Sequence, residues 1–150
     1  MIAVVQRVNE ASVEVEDIGI TGEIKLGLCV LLGVVKGDTQ KEADWIAGKI
    51  ARLRIFADDS GRFNRSLKDV GGGVLLISQF TLAGDCSRGN RPSFIEAAEP
   101  DLAKVLYEQV GTLLKTTHEI PVQTGRFQKT MQLRLENQGP ATIILQSPTT

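Results

Sequence analysis

The chain has 150 residues, 42% of them hydrophobic and 23% charged, with a formal net charge of −1. That length fits a single domain, residues 1–150, whose core closes without disulfides, because folding hides roughly two-thirds of the unfolded surface at this size. The charge balance excludes a generally basic nucleic-acid coat and leaves any RNA contact to a local patch. Two separated cysteines, Cys29 and Cys86, form no disulfide framework.

Met1 leads straight into β-rich sequence with no charged n-region and apolar h-region, and no apolar run reaches membrane-spanning length. The expectation is a soluble, cytoplasmic protein with no membrane and no DNA partner. Residues 2–8 read as strand, Asn9-Glu10 as a tight hairpin, and residues 11–16 as a half-buried strand in which Ala11, Val13 and Val15 alternate with polar residues. Residues 28–35 form a continuous apolar run, the pattern of a central strand. The period then changes. Thr39-Gln40-Lys41-Glu42 fits a capping box, and Ala43, Ile46, Ile50 and Leu53 recur at helical spacing. Residues 54–56 read as strand and residues 58–61 as a turn.

Residues 71–94 look like the working stretch. Three glycines precede an apolar strand, residues 74–77, and the strand ends in Ser78-Gln79-Phe80-Thr81-Leu82. Polar groups in a core strand cost about 1–3 kcal/mol each unless hydrogen-bonded, so either the sheet or a ligand satisfies Ser78, Gln79 and Thr81. The following loop carries Arg88 and Arg91, a solvated segment or a phosphate clamp. Pro100 opens a second helix with Leu102, Val105, Leu106, Val110, Leu113 and Leu114 on one face. Met131, Leu133 and Leu135 alternate with polar residues, residues 137–140 make a turn, and residues 141–145 return as strand. The fold class is α+β: a mainly antiparallel, curved or barrel-like sheet covered by two amphipathic helices.

Several catalytic constellations are absent, among them Gly-x-Ser-x-Gly, the Walker loop, His-Glu-x-x-His and Cys-x-x-Cys. The single histidine, His118, follows the second helix and reads as a surface or dipole partner. The expectation is no metal and no cofactor, with the chemistry left to hydroxyls, amides and backbone.

Val5-Gln6-Arg7-Val8, Gly33-Val34-x-x-Gly37-Asp38-Thr39, Leu53-Arg54-Ile55-Phe56, Ser78-Gln79-Phe80-Thr81-Leu82, Arg91-Pro92-Ser93-Phe94 and Asn137-Gln138-Gly139-Pro140-Ala141-Thr142 together resemble the D-aminoacyl-tRNA deacylases of the DTD type. The resemblance spans essentially the whole chain. It implies a DTD-like fold and a homodimer with active sites at the subunit interface, hydrolysing the ester between a D-amino acid and the 3′ end of tRNA. It assigns catalysis to Ser78, Gln79, Phe80 and Thr81. It gives substrate binding and rejection of L-amino acids to Phe127, Met131, Asn137, Gly139 and Pro140, with Gly139-Pro140 cis and reaching the partner's site. Contact with tRNA falls to Arg88, Arg91, Ser93 and Phe94. The chain departs from the family pattern at Gln128-Lys129, where Gly-Ala is usual, and across residues 83–90. The competing readings are a non-catalytic tRNA-binding dimer and a small-metabolite-binding or hydrolase protein with a polar pocket at Ser78–Thr81 and no RNA role.

Overall fold

The computed structural model describes residues 1–148. In chain order the elements are β1 (Ile2–Val15), β2 (Gly19–Ile24), β3 (Gly27–Gly33), α1 (Gln40–Arg52), β4 (Phe56–Ala57), β5 (Phe63–Arg65), α2 (Leu67–Val70), β6 (Gly73–Ser78), a 3-10 turn (Phe80–Ala83), α3 (Pro100–Thr116), β7 (Val122–Thr124) and β8 (Met131–Gln146).

The sheet is built on β1. Along one of its edges β8 runs antiparallel from end to end; on the other, β3 takes the first half and β2 the second. Helical crossovers then place β6 parallel to β3, and β7 parallel to β6. The sheet curls until β7 returns to β2, where the Thr21 hydroxyl donates to the Thr124 carbonyl at 3.1 Å. The result is a nearly closed barrel in an α+β fold. Its β3–β6–β7 portion is parallel, which the strand patterns alone did not distinguish, and among the described residues the short helix α2 joins the two expected ones.

Asn9-Glu10 is not a hairpin. β1 runs straight through it, and the register against β8 shifts between Val8 and Glu10. The irregularity moves the alternation by one residue. Ala3 and Val5 pack with the helices, whereas Val8, Ala11 and Val13 join Cys29, Leu75 and Ile77 inside the barrel. The expected turn at residues 137–140 is likewise a bulge within one continuous strand. Gln6 pairs with Thr142 and Val8 with Asn137, so the intervening residues of β8 loop outward. The strand expected at residues 54–56 shrinks to Phe56–Ala57, while the Asp58 carboxylate accepts from the Ser60 and Arg62 amides in the expected turn.

α1 begins on the capping box that its sequence announces, with Thr39 and Glu42 satisfying each other's amides, and ends at Leu53. α3 buries Ala103, Leu106, Tyr107, Val110, Gly111 and Leu114. Its buried stripe is rotated from the expected one, leaving Leu102 45% and Val105 60% exposed. Gly71 caps α2 in the left-handed conformation, φ 64°, and opens the run into β6.

Candidate active site

Along β6, Val74 and Leu76 face the helices while Leu75 and Ile77 face the barrel interior. The strand stops at Ser78, and the Gln79 amide makes a last bond to the Leu32 carbonyl at 2.8 Å. From there the chain turns as a 3-10 helix, closed by Leu82 N–H to the Gln79 carbonyl at 3.2 Å and Gly84 N–H to the Thr81 carbonyl at 3.0 Å. The expected strand end across residues 78–82 is therefore a strand followed by a turn. The turn lifts Phe80 to the surface, where it meets Phe94 edge-on at 5.2 Å between ring centres. The Gln79 side-chain amide donates to the Thr81 hydroxyl.

This corner opens into a cavity of about 770 Å³. Ile77, Ser78, Gln79 and Phe80 form one side, the start of α3 at Pro100 and Ala103 a second, and Phe127 to Met131 a third. Ser78, Gln79, Phe80, Phe94, Phe127 and Met131 thus converge from distant parts of the sequence. Thr81 is exposed beside the cavity and does not line it. Arg88 and Arg91 are exposed on a loop pinned by paired backbone bonds between Asp85 and Ser93, at 2.8 and 2.9 Å. The Ser87 amide and hydroxyl hold the Asp85 carboxyl below its ordinary range.

Asn137, Gly139 and Pro140 do not line the cavity. They are exposed on the β8 bulge, where the Gly139–Pro140 peptide is cis and Gly139 has φ 116°. Arg7 holds the base of this bulge. Its Nε donates to the Gln138 carbonyl at 3.1 Å and its terminal nitrogen to the Ile55 carbonyl at 2.6 Å, with the Phe63 ring 5.1 Å from the guanidinium. Arg7 was legible as a motif residue, but no role for it was; the usable signal was a charge on the buried stretch between Val5 and Val8.

The cavity walls are apolar and its ionisable groups are sparse: Glu99 and Lys129 among the described residues. No cluster of metal-ligating side chains occurs among the described residues. Tyr107 supports the wall from behind, donating to the Leu76 carbonyl at 2.7 Å, and burial pushes its phenol pKa up. Such a site suits a reaction run by oriented dipoles on an already activated substrate.

Residues 4–146 match the family described as D-Tyr-tRNA(Tyr) deacylase. The chain belongs to the D-aminoacyl-tRNA deacylase family. It is 52% identical to the D-aminoacyl-tRNA deacylase of Thermotoga petrophila, over 98% of this chain and 97% of that one. The corresponding protein of Geotalea uraniireducens is 54% identical, with 99% and 94% covered. A solved structure named c-Myc DNA Unwinding Element Binding Protein superposes with a TM-score of 0.90 at 40% identity, covering 99% of this chain and 100% of that one. A probable eukaryotic D-amino acid tRNA deacylase shares the fold at a TM-score of 0.81 and 16% identity, covering 96% and 97%. Gln128 stands at φ 59°, a backbone conformation that suits glycine. No helix among the described residues is long and apolar enough to cross a membrane.

Proposed function

We propose that this protein hydrolyses the ester of D-aminoacyl-tRNA as a homodimer, each subunit lending its Gly139–Pro140 bulge to the other's cavity. One observation carries the reading: the cavity on Ser78, Gln79 and Phe80 is open, while the bulge that would complete it projects outward from the same subunit, anchored by Arg7. In this scheme the ester carbonyl lies against the backbone N–H groups that begin the Phe80–Ala83 turn, and their dipoles meet the developing oxyanion. Thr81 positions rather than attacks, because among the described residues its hydroxyl meets the Gln79 amide and no base. The neighbouring 2′-hydroxyl of the RNA orients the water. Gln79, bonded to Thr81, keeps the turn in place.

Chirality is read by exclusion. Apolar pockets separate similar side chains only modestly, whereas a rigid backbone wall blocks an L side chain outright and leaves a D side chain free. The same wall cannot exclude glycine, so glycyl-tRNA, including glycine mischarged on tRNA(Ala), is a substrate too.

The test is parallel deacylation of D-tyrosyl-, L-tyrosyl- and glycyl-tRNA by wild type, Pro140→Ala and Thr81→Ala. Loss of the D and glycyl esters alone is expected, with L-ester cleavage rising in Pro140→Ala and near-normal turnover in Thr81→Ala. Tight tRNA binding without turnover would support the non-catalytic dimer instead. Duplex DNA as competitor tests the further activity that the name of the 40%-identical structure describes for that protein.

A further inference from the structure

A second depression of about 580 Å³ lies between α3 and the β7–β8 connection, and Phe127 and Lys129 belong to the walls of both cavities. Its charge is unlike that of the chain. Lys104, Lys115, Arg126 and Lys129 line it against a single carboxylate among the described residues, Glu108, in a protein of net charge −1. Lys104, Glu108 and Lys115 recur on one face of α3, and the Lys104 ammonium lies 4.0 Å from the Glu108 carboxylate. Arg126 is steadied at the rim by donating to the Gly125 carbonyl at 3.0 Å.

Tyr107 and Gly111 line the same depression, alongside Leu76. A β-carbon on Gly111 would meet only the Leu76 Cδ2 atom, at 3.6 Å, an ordinary contact. Packing therefore does not require glycine there, although mid-helix glycine costs about 1 kcal/mol relative to alanine. What glycine does is keep the groove deep.

We propose that this groove takes the sugar–phosphate backbone of the substrate's single-stranded 3′ end, while the aminoacylated terminal nucleotide occupies the first cavity. The inference rests on the deacylase reading above and adds a second contact surface, separate from the Arg88–Arg91 loop. Two features select the occupant. The excess of cations matches phosphodiester anions, and the shared Phe127 and Lys129 set the groove directly beside the cavity, within reach of a strand whose terminal nucleotide occupies it.

The experiment compares wild type with Lys104→Gln/Lys115→Gln, both exposed helix positions. Each is assayed on D-tyrosyl-tRNA and on 3′-O-D-tyrosyl-adenosine, which carries the ester but no strand. For the tRNA ester the KM should rise about tenfold and its log–log salt slope should fall by about 1.4, with kcat held within about twofold. The adenosine ester should be unaffected. An unchanged KM, equal losses on both esters, or the same loss in a Lys41→Gln/Lys49→Gln control, whose exposed α1 positions line neither cavity, would each overturn the groove. If wild type cleaves neither ester, the deacylase reading fails separately. Binding of uncharged tRNA then decides the groove: weaker, less salt-dependent binding by the variant sustains it, and equal binding removes it.

Discussion

Gln128 holds a left-handed backbone, φ 59°, on the cavity wall. That conformation costs a residue bearing a β-carbon about 1–2 kcal/mol, and glycine is free of it. Part of the gain from removing the β-carbon is offset, because glycine loses about 0.5–1 kcal/mol more chain entropy on folding. Gln128→Gly should therefore stabilise the protein by about 0.5–1 kcal/mol, whereas Gln128→Ala should change little. Urea denaturation of the three proteins measures both. The two cysteines make a second contrast at this scale. Cys29 is fully buried in the barrel and burial pushes its thiol up to about 12, while Cys86 is exposed on its loop. At pH 8 an aromatic disulfide reagent should label one thiol per native chain and two in denaturant. Rapid labelling of Cys29 in the native protein would mean that the barrel opens readily.

Secondary structure was legible where local chemistry specified it and hidden where one signal has two structural meanings. The Thr39–Glu42 box and the apolar spacing after it identify α1 without help. Asn9-Glu10 breaks an alternating pattern, and a hairpin and a bulge leave the same break in sequence; only pairing with β8 tells them apart. The helix face of α3 was rotated because Tyr107 and Gly111 bury where Leu102 and Val105 do not. The capping box also gives α1 a pH signature. Bonds from the Thr39 hydroxyl and amide hold the Glu42 carboxyl below its ordinary value of 4.5. A lowered folded-state pKa contributes stability above the unfolded value and loses it as pH falls through the folded one. Thr39→Ala should cost about 1 kcal/mol at pH 7, and its gap from wild type should narrow as pH drops below 4.5. A gap constant down to pH 3 would show that Glu42 draws no support from the cap. At the start of β3, a β-carbon on Gly27 would overlap the Gly73 carbonyl of β6. Gly27→Ala should cost about 3 kcal/mol or more, since two paired backbones would have to separate.

At the scale of the molecule, the site depends on contacts far apart in sequence. Short motifs could mark Ser78–Thr81 and Gly139–Pro140. They could not show that Phe127, Glu99 and Ala103 share a cavity, nor that the basic face of α3 runs beside it. The chain's two ends set the frame that keeps those segments in register. The Met1 amine is fully buried and donates to Asp38 Oδ1 at 2.7 Å and to the Ser147 hydroxyl at 2.6 Å, while the Ser147 amide returns to the Met1 carbonyl at 3.0 Å. The other Asp38 oxygen accepts from the Val35 amide at 2.7 Å, just before α1. One carboxylate thus ties the start of β1, the end of β8 and the approach to α1. Removing one partner of a buried ion pair leaves the other charge without compensation, a loss of about 3–5 kcal/mol, whereas losing a neutral hydroxyl bond costs about 1 kcal/mol. Asp38→Ala should therefore lower the denaturation midpoint far more than Ser147→Ala. On the proposed reading, in which the Gly139–Pro140 bulge of β8 excludes L side chains, the selectivity of Asp38→Ala for the D ester should weaken well before the fold is lost. Equal, small effects of the two substitutions would mean that the amine reaches water and that the ends are not held by this pair.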